Sequence, residues 1–139
     1  MKRFLLAILA VVSLTMPANS ATLRVAPVSL EVTNGAVAST VRIWNDDREP
    51  LHVQVRIFRS IERGGQTVLE PTQDVVASPP ITSLQPGSEN IIRVVRVSSQ
   101  PLQGRETYRL IIDELPDPSA QKAGTVSILV RHAIPVTFQ

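Results

Sequence analysis

The sequence contains no cysteine, only two histidines and few aromatic residues. Without cysteine, the chain cannot form disulfides, zinc–thiolate sites or a thiol nucleophile. Aromatic residues make up 4% of the chain, which is too little for a surface on which nucleic-acid bases stack. The formal net charge of +2 does not indicate a polyanion-binding surface. The composition therefore argues against a nucleic-acid partner.

The first 21 residues have the order of a secretory signal peptide. Lys2 and Arg3 precede an apolar run over residues 4–14, and small residues follow up to Ala21. The run is shorter than the roughly 20 apolar residues that span a bilayer. We therefore predict a signal peptide over residues 1–21, cleaved after residue 20 or 21, and an exported mature chain without stable membrane insertion. An uncleaved membrane anchor is the alternative.

After the leader, the hydrophobic residues recur with period two, which is typical of strands with one buried face. Leu51, Val53 and Val55, for example, alternate with polar residues. Pro27 and Pro135 interrupt two of the runs and are expected at strand edges or bulges. The pattern predicts an all-β fold, an immunoglobulin-like sandwich of about seven strands. The main predicted runs are 23–32, 37–44, 51–58, 91–97, 107–112 and 125–138.

The polar residues do not form a catalytic or metal-binding pattern. His52 and His132 lie in strand patterns, and we expect both to face solvent, opposite the apolar residues, rather than bind a metal. Asp46-Asp47 is expected in a tight turn, with a calcium site as the less favoured alternative. Asp113-Glu114 should point to opposite faces of a strand and so cannot act as a paired acid and base. We therefore predict no enzyme activity, no cofactor and no metal.

The last run carries three aliphatic residues on one face. Val126, Ile128 and Val130 follow at strict i, i+2 spacing, with Leu129 and Arg131 on the other face. An ordinary core strand explains this pattern equally well.

Segments spread through the mature chain resemble the N-terminal domain of the periplasmic pilus-assembly chaperones of the chaperone–usher pathway. The motifs Tyr108-Arg109-Leu110, Glu114-Leu115-Pro116 and Ile134-Pro135-Val136 are similar to the divergent, archaic branch of that family. The resemblance implies that residues 22–139 form the immunoglobulin-like N-terminal domain. The segments that carry it are 41–46, 78–80, 84–87, 92–93, 104–110, 114–116 and 126–136.

The resemblance also implies a function. Family members bind pilus or fimbrial subunits that lack their own last strand and deliver them to an outer-membrane usher, in the periplasm and without a cofactor. The chaperone's last strand completes the subunit, so the inserted residues here would be Val126, Ile128 and Val130. Each would contribute roughly 1.5–3 kcal/mol if fully buried in the subunit.

Two positions depart from the best-known branch, which binds the subunit's C-terminal carboxylate with an arginine and a lysine. The corresponding residues here are Ser29 and Pro135, which cannot bind a carboxylate by charge. Either another cation substitutes or the anchor is lost. Arg93, Arg96 and Arg105 are the candidates for a substitute, since a guanidinium offers two parallel donors; the alternative for each is an ordinary solvated arginine.

Glu106 corresponds to a residue of the family that forms a salt bridge between its two domains. The second domain is absent from the sequence, so Glu106 is expected to lack that partner. Alternatives to a working chaperone are a truncated chaperone fragment, or an exported structural or adhesive sandwich domain without chaperone activity. An exported hydrolase or metal-dependent enzyme is the least favoured alternative.

Overall fold

A computed structural model gives the fold and describes residues 22–120, 123–124, 126 and 128–139. The predicted signal peptide lies outside these residues. Within them, no helix is long and apolar enough to cross a bilayer, and a short 3-10 helix spans Pro118–Ala120. The strands are β1 (Leu23–Ala26), β2 (Leu30–Val32), β3 (Ala38–Asn45), β4 (Leu51–Arg63), β5 (Gln66–Pro71), β6 (Val75–Ser78), β7 (Ile81–Leu84), β8 (Glu89–Arg96), β9 (Glu106–Leu115) and β10 (Arg131–Phe138).

These strands form two sheets in a sandwich-like arrangement, which confirms the all-β prediction. One sheet has the order β1-β3-β8-β6, and the other β2-β10-β9-β4-β5, with β7 also paired to β4. The sequence predicts about seven strands and gives six main runs, whereas the described residues form ten strands; two differences account for the four strands beyond the six runs. The first predicted run divides around Pro27 into β1 and β2, which join different sheets. The short strands β5, β6 and β7 add three more.

The buried face of each long strand matches the period-two pattern. In β4, Leu51, Val53 and Val55 are at most 5% exposed, whereas His52 points outward and is exposed. Inward-facing residues of both sheets pack into one core. Its fully buried large members are Tyr108, Phe138, Leu23, Ile43, Leu84, Ile92, Leu110, Ile112, Val41, Val53, Val75 and Val94.

Asn45, at the end of β3, is a fully buried polar residue. Its side-chain amide donates to the carbonyl oxygens of Glu49, at 2.8 Å, and Leu84, at 2.9 Å. Its side-chain oxygen accepts from the backbone N–H of Asp47, at 2.9 Å. These bonds join the turn after β3 to the end of β7. They also offset the free-energy cost of burying the polar amide.

The last strand is shorter than predicted. The sequence predicts a strand over residues 125–138, but β10 begins only at Arg131. The register pairs Arg131 with Asp113, so continuing it would pair Ile128 with Pro116. Because proline has no backbone N–H, the ladder cannot continue there. Residues 126 and 128–130 lie outside any strand.

Candidate functional site

The segment just before β10 exposes aliphatic side chains. Val126 is 91% exposed and Ile128 is 84% exposed, while Val130 is half-buried. In an extended chain these residues point to the same side as Ile134 and Val136 of β10, which are buried in the core of the domain. They thus continue the core-facing row of the strand beyond the point where the domain covers it. We call residues 126 and 128–130 the presenting segment.

β10 has an open edge next to this segment. One side of β10 pairs with β9 along its whole length. On the other side, β2 pairs only from Val136 onward, where Val136 lies opposite Leu30. Among the described residues, no strand pairs with residues 131–135 on that side. An unpaired strand edge is a template to which another strand can add.

The hydrogen-bond phase of β10 determines which backbone groups point to that edge. The N–H of Glu114 donates to the carbonyl of Val130, at 3.0 Å, so even-numbered residues of this strand bond to β9. In an antiparallel ladder, the intervening residues then point away, and these include Arg131 and Ala133. Pro135 also points to the open edge, where its missing N–H costs no bond. The prediction that Pro135 lies at a strand edge is therefore confirmed.

Arg109 is a residue that the sequence reasoning missed. It lies in β9 directly opposite Pro135, and its other neighbour in register is Phe58 of β4. It is half-buried, and no ion pair among the described residues includes it. The alternation of β9 indicates that its side chain points outward, and its place opposite Pro135 is the feature that could have marked it as a candidate anchor. The two strands had to be paired before that signal could be recognised.

The structure brings only two of the three candidate arginines together. Arg93 is exposed and lies in β8, in the sheet that does not contain β10. Arg96 and Arg105 line one groove of about 450 Å³. That groove lies at the end of the sandwich where β10 finishes, because Phe138 pairs with Glu106 in register.

The Arg96 side chain is engaged within the domain. It is 9% exposed, and its Nε and Nη2 donate to the two carboxylate oxygens of Glu106, each at 3.0 Å. Its Nη1 donates to the carbonyl of Gln100 at 2.9 Å. These contacts occupy most of its donors, which leaves Arg105 and Arg93 the more accessible of the three.

Glu106 therefore has a partner inside its own domain. Its carboxylate also accepts a hydrogen bond from the Tyr108 hydroxyl, at 2.8 Å. The hydrogen bonds from Arg96 lower the pKa of Glu106 and outweigh the effect of burial. Burial, helped by the Glu106 carboxylate, raises the pKa of Tyr108 to about 12. The group thus ties the end of β8 to the start of β9.

Asp113 is a carboxylate that is held between two arginines. Its side chain is 13% exposed, and Arg56 of β4 donates to it at 2.6 Å. Arg131 of β10 donates through Nε at 2.5 Å. Burial raises the pKa of Asp113, but the hydrogen bonds from Arg131 and Arg56 together lower it below its usual value. We call these three residues the Asp113 clamp.

The histidines differ from expectation in one case. His52 is exposed, as predicted, and its Nδ1 lies 2.9 Å from the Ser83 hydroxyl. The prediction that His132 faces solvent opposite the apolar residues is wrong. It lies in the core-facing row of β10, half-buried, with Nε2 2.9 Å from the carbonyl oxygen of Leu23. Strict alternation places His132 on the same face as Val130 and Ile134, so the pattern of the run itself indicated the core-facing side.

Acidic residues are present but form no metal site in the described part of the chain, where no three His, Asp or Glu side chains could hold an ion. Asp46 pairs with Arg24 at 2.8 Å. Asp113 and Glu114 point to opposite faces of β9, as predicted. Beside Ile128, a groove of about 340 Å³ separates the presenting segment from the turn after β3.

The family of the chain follows from comparison with known proteins. The family model described as pili and flagellar-assembly chaperone, PapD N-terminal domain, matches residues 22–139. The chain belongs to this family. Pilus chaperones are binding proteins rather than enzymes. No curated protein matches this PapD-type chain.

Solved structures of pilus chaperones share the fold of this PapD-type domain. A chain of the CsuC–CsuE chaperone–tip subunit complex from the archaic Csu pili of Acinetobacter baumannii is 24% identical, with a TM-score of 0.73. The match covers 85% of this chain and 56% of that one. The class 5 fimbriae chaperone CfaA is 18% identical, with a TM-score of 0.69, and the match covers 83% of this chain and 55% of that one.

The Salmonella enterica complex of the SafA pilin with the SafB chaperone gives 14% identity and a TM-score of 0.67, covering 88% of this chain and 56% of that one. At these identities the likeness shows the fold alone. The chain spans about half the length of the solved structures it matches.

Proposed function

We propose that the protein is a periplasmic chaperone that holds pilus subunits by donating residues 126–130 as a strand, and that it delivers them to an outer-membrane usher. The observation that carries the proposal is the presenting segment itself. Val126, Ile128 and Val130 continue a core-facing row, yet the first two are almost fully exposed. Large aliphatic side chains in that state favour a partner that supplies the missing core.

The open edge of β10 supports the same mode of binding. A subunit that lacks a strand has unpaired backbone groups on one side of a groove and an open core beneath it. Backbone pairing with β10 would fix the register, and the alternate aliphatic residues would enter the groove. Each fully buried residue of this kind stabilises the complex by roughly 1.5–3 kcal/mol. No nucleotide, metal or covalent step is required.

The position of β2 supports a defined end for the added strand. A guest strand that follows the open edge would meet Leu30, where β2 begins to pair with β10. For a guest strand that runs parallel to β10, as β2 does, the C-terminal carboxylate would then lie near Ser29 and Pro135. Arg109 is the guanidinium opposite Pro135, and it can offer two parallel donors to a carboxylate. We therefore add Arg109 to the proposed anchors Arg93 and Arg105, while the internal contacts of Arg96 make it the weakest candidate.

The chaperone proposal is tested by co-expressing the full chain with a pilus subunit encoded beside it. Soluble subunit should accumulate in the periplasm and co-purify with the chain, and the mature chain should begin at residue 21 or 22. Failure of every neighbouring subunit to accumulate or co-purify would contradict the proposal.

The anchor is tested separately, with Arg109→Gln compared with Arg93→Gln and Arg105→Gln. Loss of a charge-assisted bidentate contact costs about 1.5–3 kcal/mol, so the Kd for the subunit should rise by about tenfold to a hundredfold in Arg109→Gln alone. A subunit with an amidated C-terminus should bind wild type and Arg109→Gln equally. If Arg105→Gln or Arg93→Gln is the sensitive variant instead, that residue is the anchor.

One observation favours the alternative of an exported structural or adhesive domain without chaperone activity. Glu106, which corresponds to an interdomain salt-bridge residue of the family, is bonded here to Arg96 and Tyr108 of its own domain. A stable monomer that protects no subunit would support this alternative.

A further inference from the structure

The Asp113 clamp lies where the presenting segment joins the sheet. Arg131 is the first residue of β10, and it lies opposite Asp113, which in turn lies opposite Gln54 of β4. Three neighbouring strands thus meet at one carboxylate, on the face of the sheet that points away from the core. Arg131 is itself 64% exposed, so its guanidinium is held by this ion pair rather than by packing, while its backbone belongs to the ladder with β9.

Apart from the register of β10 itself, little among the described residues fixes the orientation of the presenting segment. The one backbone hydrogen bond that the described residues give it is from Glu114 to the carbonyl of Val130. In an extended chain, successive side chains point to opposite faces, and a one-residue slip exchanges the two faces completely. If Arg131 points outward, then Val130 and Ile128 point inward. The outward position of one arginine therefore determines which side chains are offered to a guest.

We infer that Asp113 is a positioning residue that acts through Arg131. It fixes the phase of the presenting segment, that is, which of its side chains point to each face, so that Val126, Ile128 and Val130 face the partner. This inference rests on the proposed strand donation. A slip by one residue would turn Arg131 toward the core and leave the largely buried Asp113 with Arg56 as its only charged donor. Both changes are unfavourable because each leaves a poorly solvated charge with fewer partners.

The first test needs no partner and uses the absence of native cysteine. Continuing the register places Leu115 opposite Leu129, and both residues line the same groove. The pair Leu115→Cys with Leu129→Cys reports the native phase, and Leu115→Cys with Ile128→Cys reports the slipped phase. In the native background the first pair should form its disulfide at least about tenfold faster, because the second has its Cβ atoms on opposite faces.

Asp113→Asn should reduce this preference to less than about threefold, because the neutral amide holds Arg131 weakly. Glu106→Gln is the matched control, since Glu106 has the same 13% exposure and also lies beside two arginines. It should lower stability without changing the preference. Arg131→Gln provides a milder second variant on an exposed side chain, should Asp113→Asn fail to fold. A preference unchanged in Asp113→Asn, or in Arg131→Gln, would overturn the inference.

The second test measures dissociation of a bound subunit. Asp113→Asn should increase the dissociation rate by about tenfold or more, and Arg131→Lys should restore part of the retention lost in Arg131→Gln. If wild type holds no subunit, the proposed function fails, but the disulfide preference still decides whether the clamp fixes the phase. If the subunit dissociates from Asp113→Asn and from wild type at the same rate, the role of the clamp in binding is wrong.

Discussion

Replacing Ile128 by aspartate should weaken binding of a subunit and leave the stability of the domain almost unchanged. Ile128 is 84% exposed and lies outside any strand, so the domain should tolerate a carboxylate there with almost no loss of stability. In a complex, the change would remove roughly 1.5–3 kcal/mol of apolar burial. Placing an unpaired charge in an apolar groove costs at least a further 1–3 kcal/mol. The sum of about 2.5–6 kcal/mol corresponds to binding that is weaker by about sixtyfold or more.

The matched control is Leu129→Asp, one residue along the chain. Leu129 is 45% exposed and lies on the other face of the presenting segment. We expect Ile128→Asp to abolish co-purification of the subunit and Leu129→Asp to retain it, with both variants unfolding at the wild-type urea concentration. The reasoning would be refuted if Ile128→Asp bound the subunit normally, or if the two variants lost binding equally.

Three further predictions concern stability. Glu106→Gln should cost about 2–4 kcal/mol in urea unfolding because it leaves the 9%-exposed Arg96 without its carboxylate; a loss under 0.5 kcal/mol would contradict this. The lowered pKa values of Glu106 and Asp113 stabilise the fold fully above their unfolded pKa of about 4. Tm should therefore fall as pH drops below about 4, and less steeply in Glu106→Gln; parallel profiles would contradict this. Asn45→Ala should cost about 2–4 kcal/mol in the same unfolding measurement, since it leaves the buried carbonyl of Leu84, the part-buried carbonyl of Glu49 and one part-buried N–H without this partner; wild-type stability would contradict this.

The long strands were predictable because one face of each is buried. Residues of β8 and of the first half of β4 alternate between core and surface, and this burial produces the period-two signal. In β9 the inward-facing Tyr108, Leu110 and Ile112 give the same signal, although the outward-facing Ile111 is buried as well. The short strands carry no such signal. Val75 in β6 and Leu84 in β7 are buried, but each is the only buried residue of its four-residue strand. Leu69 in β5 is 41% exposed and Ile81 in β7 is 60% exposed, so the hydrophobic residues of these strands do not show a repeating core face. Val37, predicted in phase with Val41, is 56% exposed because β3 begins one residue later.

The candidate site was predictable only in part. The alternation of Val126, Ile128 and Val130 was visible in the sequence, but their exposure depends on where β9 ends. The open edge of β10 depends on which strand lies beside it, and β2 is separated from β10 by about a hundred residues of sequence. The opposition of Arg109 to Pro135 and the Asp113 clamp also require the pairing of distant strands. Periodicity does not carry that information.

Amide hydrogen exchange of the presenting segment tests the central claim most directly. Strand donation predicts that the N–H groups of Leu129 and Arg131, which point to the open edge, exchange at least about a hundredfold more slowly once a cognate subunit is bound. Residues of β6, in the other sheet, should keep their rates. A bound subunit that leaves the exchange of Leu129 and Arg131 unchanged would contradict the account.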